Sequence, residues 1–154
     1  MHILPMTAED FQVKVQLPSE DITIDIRKDL RINDASLTQE WMEQASMFAF
    51  YSTLLADQKH KLAGLERDLT RYYCELSLSI RQGKVKVIEK LTEGAIKDYI
   101  EGDNRYGSMK DEIHAKEGII AKLSALVSGS MQRKDMLTQL GLQERQERRN
   151  NSNT

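Results

Sequence analysis

The chain has 154 residues, about 40% apolar and 30% charged, with a formal net charge of −2. That size fits one domain, and the mix suits long amphipathic helices with much solvated surface, so the expected core is seam-like. A single cysteine, Cys74, excludes an intrachain disulfide framework and a multi-cysteine zinc site, and no stretch approaches the roughly 18 apolar residues of a membrane span. Met1 to Met6 lack the basic start and apolar run of a signal peptide, so the expectation is a soluble cytoplasmic protein.

Charge is unevenly spread. Residues 1 to 57 carry four basic and ten acidic groups, a local net of −6. Residues 58 to 90 carry eight basic groups (Lys59, Lys61, Arg67, Arg71, Arg81, Lys84, Lys86, Lys90) against four acidic ones, a local net of +4. The remaining 64 residues balance at ten of each. A basic stripe on a helical surface is one consequence, and an oligomer would multiply it; the other reading is a plain solvated helix face.

The first predicted region, residues 1 to 35, is an N-terminal arm. It holds Pro5 and Pro18, and the alternation Ile22, Ile24, Ile26 suggests a short strand. A lone strand is unstable, so pairing with a neighbouring subunit is one expectation for it.

A long helix follows, over about 36–82. Ser36 and Gln39 have the spacing of a capping box, and Gly83 supplies the stop. At about 1.5 Å rise per residue this element is roughly 70 Å long. Gly64 lies inside it without breaking it. Large apolar residues recur every seven positions at Phe48, Leu55, Leu62, Leu69 and Leu76, while Tyr51, Leu65 and Tyr72 fall three residues after ladder members. The repeat reads as heptad a and d positions interrupted at Gln58, a narrow seam that requires partner helices.

Residues 84 to 91 read as a loop with a β-branched patch at Val85, Val87 and Ile88, and Thr92 caps a short helix over 92–101 ended by Gly102. The last helix spans about 107–140 and stops at Gly141. Its apolar line Ile113, Ile120, Val127 also steps by seven, compatible with the first seam. Small residues Ala121, Ala125, Ser128 and Gly129 leave room for a close helix. The polar segment 142–154, rich in Gln, Glu, Arg and Asn, is expected to be disordered. The predicted architecture is thus all-α: a long, coiled-coil-like helical hairpin or bundle, oligomeric, with residues 36–141 forming the oligomerisation and binding domain.

Signatures of catalysis are lacking. His2, His60 and His114 are far apart, and the sequence has no GxSxG, GKS/T or CxxC. The expectation is a non-enzyme without metal or cofactor. Cys74, beside Tyr72 and Tyr73, reads as a packed side chain. Tyr72 or Tyr73, flanked by Arg67, Arg71 and Arg81, offers a base-stacking surface beside phosphate-binding arginines, or packs beneath the arginine stems. Two function classes remain: an oligomeric binder of single-stranded nucleic acid, and a helical scaffold or adaptor that binds only protein.

The order of elements adds a resemblance. The run Tyr51-Ser52-Thr53-Leu54-Leu55 in a long helix, the helix end Leu78-Ser79-Ile80-Arg81, Thr92-Glu93 opening a short helix, and a final helix through Glu117-Gly118-Ile119-Ile120 to Gln132-Arg133-Lys134-Asp135-Met136-Leu137 resemble the UvsY-type recombination mediators of tailed bacteriophages. The likeness covers about residues 30 to 140. It implies a closed homo-oligomer that binds single-stranded DNA and helps load a RecA-like recombinase onto strands covered by a single-strand-binding protein, in DNA recombination and repair. In that family the end of the long helix carries a basic L-K-A-R type motif implicated in DNA binding. Here Arg81 matches its arginine, while Ser79 stands where the lysine would be. The resemblance together with the local charge points to Arg81, Lys84, Lys86, Arg71 and Lys90 for DNA. Phe48, Leu55, Leu62, Leu69, Leu76, Ile113, Ile120 and Val127 are the residues expected to hold the assembly.

Overall fold

The computed structural model describes residues 7–17, 20–86 and 92–152. Pro5, Pro18, His2, Val87, Ile88 and Lys90 lie outside the described residues. The architecture is a helical bundle with a small two-stranded sheet. In chain order come strands β1 (Gln12–Gln16) and β2 (Asp21–Asp25), a single turn α1 (Ile26–Asp29), and the helices α2 (Leu37–Arg81), α3 (Glu93–Glu101) and α4 (Asn104–Ser152). The chain divides into two compact units, Met1–Ala56 with Ile119–Thr154, and Asp57–Gly118.

In the first unit the Ile22–Ile26 alternation has a partner within the same chain. β1 and β2 pair antiparallel, Val13 opposite Ile24 and Val15 opposite Ile22. The period of two puts Val13, Val15 and Ile24 on one face, where they are buried with Tyr51 and Leu54 of α2 and Leu123 and Leu126 of α4. Burial of each such side chain is worth about 1.5–3 kcal/mol. The N-terminal region is therefore a wall of the core rather than a free arm. Asp25 accepts the N–H groups of Arg27 and Lys28, which turns the chain into α1. Leu30 then packs onto α4 at Gly129, where a Cβ would sit 2.5 Å from Leu30 Cδ1. Of the four small residues read as a close helix contact, Gly129 thus makes room for a side chain, and Ala121, Ala125 and Ser128 are exposed.

A polar network crosses the same unit. Gln44 on α2 donates through Nε2 to Ser130 O at 2.7 Å and accepts from Arg133 Nη1 at 2.6 Å. Arg133 Nη2 donates to the carboxylate of Glu40 and, at 3.4 Å, to Arg31 O. Arg133 is only 3% exposed. The Tyr51 hydroxyl donates to Asp29 at 2.5 Å; burial first, and then this bond, raises its pKa above the usual tyrosine value.

The start of α2 differs from the sequence reading. A 3-10 turn over Asp34–Ser36 precedes Leu37; Asn33 caps it by accepting Ala35 N–H, and Glu40 Oε1 takes Asn33 N–H. The capping pair is thus displaced toward Asn33 and Glu40, and Gln39 instead donates to Glu43. At the other end α4 does not stop at Gly141 but continues to Ser152. Gly141 keeps helical continuity within reach of Trp41, its ideal Cβ lying 3.7 Å from Trp41 Nε1. Beyond it the polar residues support the helix through pairs four apart: Gln143 with Glu147, Glu144 with Arg148, and Arg145 with Gly141 O. The expectation of disorder over 142–154 is corrected for residues 142–152.

In the second unit Ile80, Ile96 and Ile100 form the buried centre, with Tyr73, Leu76, Val85 and Tyr106 packed against it. Thr92 caps α3 as expected, accepting Ala95 N–H at 3.2 Å. The termination of α2 is set by Gly83 at φ +70°. Gly83 N–H bonds Ile80 O and Lys84 N–H bonds Ser79 O, both at 3.0 Å, a Schellman closure that satisfies the last carbonyls and requires the left-handed conformation glycine adopts freely.

Candidate nucleic-acid interface

The heptad ladder is not the most buried line of α2. In the first unit the fully enclosed positions are Gln44, Tyr51 and Leu54, while Phe48 is 37% exposed and Leu55 half-buried. In the second unit Gln58, seven residues beyond Tyr51, is fully buried, and its Oε1 accepts from Lys116 Nζ at 3.0 Å. Leu62, Leu69 and Leu76 are half-buried, as are Ile120 and Val127; Ile113 is buried. The apparent interruption at Gln58 therefore lies in the packed line itself, filled by a polar side chain with its own partner.

The basic run occupies the opposite face of α2 in the second unit. At 100° per residue, His60, Arg67, Arg71 and Arg81 fall within an arc of roughly 80°, and all four are exposed. His60, Ala63, Glu66, Arg67 and Thr70 border an open depression on this surface. Beyond the Gly83 turn, Lys84 and Lys86 are also exposed. Ser79, in the place of the motif lysine, bonds back to Glu75 O within its own helix, and Ile80 is buried, so of the quartet Leu78-Ser79-Ile80-Arg81 only Arg81 presents a charge.

Two of these cations have carboxylate partners. Arg71 Nη2 lies 2.7 Å from Asp68, and Arg81 Nη2 lies 2.7 Å from Glu93 at the start of α3. All four side chains are at least half exposed, and such pairs are worth about 0–1 kcal/mol, so a phosphate can displace the carboxylate at small cost. Among the described residues, no ion pair engages Arg67, Lys84 or Lys86. This surface is able to hold a polyanion by charge, and its depression is open to solvent.

The tyrosines take the packing reading. Tyr72 donates its hydroxyl to Asp103 at 2.9 Å and carries the Arg105 guanidinium 4.8 Å above its ring. The N–H of Tyr106, together with that hydroxyl, holds the Asp103 carboxyl below the usual carboxylate range. Tyr73 packs on the isoleucine cluster, its ring 6.1 Å from that of Tyr106. The exposed aromatic ring of this unit is Tyr99 on α3, whose place in the sequence beside Ala95, Ile96 and Ile100 suggests the apolar face of that helix. Three residues from Ile96, it sits at the flank of the face that Ile96 and Ile100 bury, which leaves its ring at the surface. Cys74 is exposed and unpaired rather than packed. Among the described residues no cluster of His, Cys, Asp or Glu is arranged to hold a metal, and no helix is long and apolar enough to cross a membrane.

In comparison with known proteins, no family model, curated sequence or solved structure matches the chain.

Proposed function

We propose that this chain is a homo-oligomeric mediator protein that binds single-stranded DNA through the basic face at the end of α2 and assists a RecA-like recombinase in displacing single-strand-binding protein. The observation that carries the reading is the set Arg67, Arg71, Arg81, Lys84 and Lys86, all exposed, with three of the five outside any ion pair among the described residues and the other two in weak, exposed pairs. Such a surface binds the phosphate backbone by releasing counterions and is indifferent to sequence. One copy binds weakly; several copies on one assembly raise effective affinity through multivalency, which is how a protein with a net charge of −2 would hold a polyanion. The role in recombination comes from the resemblance of helix order to UvsY-type mediators.

The test is retention on an oligothymidine strand as a function of salt. With Arg81, Lys84 and Lys86 replaced together by alanine, binding weakens, and the slope of log K against log salt becomes shallower by about 2 per chain, at about 0.7 per phosphate contact on single strands. Unchanged binding by the triple variant removes this surface from the proposal. A second reading, a scaffold that binds only protein, is favoured by the exposed apolar side chains of the first unit, among them Trp41, Met42, Phe48 and Met131. Failure of the wild-type chain to bind single-stranded DNA at low salt would favour it.

A further inference from the structure

In a chain that is 30% charged, the stretch Gln44–Ala56 of α2 carries no charge on any face, where about four would be expected by proportion. The facing stretch of α4, residues 118–132, carries one, Lys122, and that ammonium is held by Gln12 O at 3.1 Å. A solvated helix surface has no reason to exclude charge in this way.

Described residues of the N-terminal region cover the two helical segments on one side. Lys122 and Gly129 of α4 meet β1 and Leu30 there. On the other side lies an open groove bordered by Trp41, Ala45, Phe48, Ser130, Met131 and Lys134, with Trp41 41%, Phe48 37% and Met131 55% exposed. The α2 edge of this side runs Trp41, Ala45, Phe48, Ala49, Ser52, Ala56, within an arc of roughly 100° that points away from buried Tyr51 and Leu54.

The order of bulky and small residues along that edge names the occupant. When a second α2 is laid antiparallel with a two-fold axis between Phe48 and Ala49, Trp41 falls opposite Ala56 and Ala45 opposite Ser52, while Phe48 and Ala49, on opposite flanks of the arc beside the axis, each face their own copy. Trp41 meets a methyl group, the two Phe48 rings meet each other across the axis, and the remaining pairs are small on both sides. The same operation brings no charge against its own kind, because this edge has none. A two-fold contact must be self-complementary in this sense, whereas a nucleic-acid partner would demand cations that the edge lacks.

We propose that this edge of α2, with the adjoining groove, is the surface on which a second copy of the chain docks its own α2 antiparallel. The inference rests on the homo-oligomeric reading above and specifies its contact. It makes the two-fold pair the unit of assembly, so the number of chains is even, and it uses Phe48 from the heptad ladder as a knob between subunits.

The experiment is the absolute mass of the full chain in solution, alone and with oligothymidine, for wild type and for Ala49→Glu. Ala49 is exposed, and retained helical circular dichroism establishes that the variant is folded. The expected result is a wild-type mass equal to an even multiple of 17.7 kDa that falls to a smaller species in Ala49→Glu. Crosslinking supplies the independent arm, on a Cys74→Ser background. Ala49→Cys lies beside the axis and oxidises to a covalent dimer. Thr53→Cys, whose copies would be about 13 Å apart along the helix, does not. A wild-type mass of 17.7 kDa overturns the homo-oligomer itself. An oligomeric wild type with an odd number of chains, an unaltered mass for Ala49→Glu, or equal crosslinking at both positions overturns this contact and leaves the homo-oligomeric reading standing.

Discussion

Replacing Arg133 by methionine would remove the cation that α4 inserts between Gln44, Glu40 and Arg31 O. The guanidinium is enclosed, at 3% exposure, and the Glu40 side chain is 14% exposed, so the carboxylate left behind is largely cut off from water. Removing one member of a buried ion pair costs about 3–5 kcal/mol, and the partial exposure of Glu40 places this case near the lower end, about 3 kcal/mol. The unpaired Gln44 carbonyl adds to the loss in the same direction. Replacing Glu40 by leucine in the same chain removes the stranded charge, and the double variant Arg133→Met with Glu40→Leu is expected within about 1 kcal/mol of wild type, because a well-packed apolar pair often substitutes for a buried ionic one at no net cost. Urea unfolding followed by the emission of the sole tryptophan, Trp41, is the assay, since that residue sits in the same unit beside Glu40. A single-variant cost below 1 kcal/mol, or a double variant as damaged as the two singles added together, would show that the network does not hold the helices.

Three further outcomes are expected. Glu93→Gln frees Arg81 from its exposed partner; retention on oligothymidine at low salt should strengthen and its salt slope steepen, and no change would mean that Arg81 does not meet phosphate. Gly83→Ala forces a side chain into φ +70° at the end of α2 and should destabilise the second unit by about 1–2 kcal/mol, read by the thermal midpoint; an unaltered midpoint would refute the closure as a stabilising element. For Tyr51 the sign follows from a folded-state pKa raised above the unfolded value near 10.0: its contribution is complete below that pH and is lost as pH rises past it. Tyr51→Phe should cost about 1.5–3 kcal/mol at neutral pH through the lost bond to Asp29, and should narrow the gap to wild type above pH 10; a constant gap would refute the linkage.

The sequence by itself determined the all-α class, because a seven-residue apolar repeat, a threonine cap at Thr92 and a glycine stop at Gly83 are local properties that helices read out within a turn or two. It also located the basic face on α2, since the cations at 67, 71 and 81 share one side of any helix through them. Four features needed the tertiary structure. The strand partner was hidden because Gln12–Gln16 alternates only two valines, too few to mark a strand until Ile22 and Ile24 lie beside them. The burial of Gln44, Gln58 and Arg133 is not marked in one dimension, and only the apposition of distant segments shows that each is buried with a hydrogen-bond partner, while Gln58 Nε2 and Arg133 Nε make no hydrogen bond. Gly141 looked like a terminator, but a glycine permits a helix end without imposing one, and here the helix continues beneath Trp41. The heptad ladder gave the helix and its spacing but not its direction: burial is decided by which neighbours arrive, and in the first unit they cover Tyr51 and Leu54 while leaving Phe48 and Trp41 at the surface.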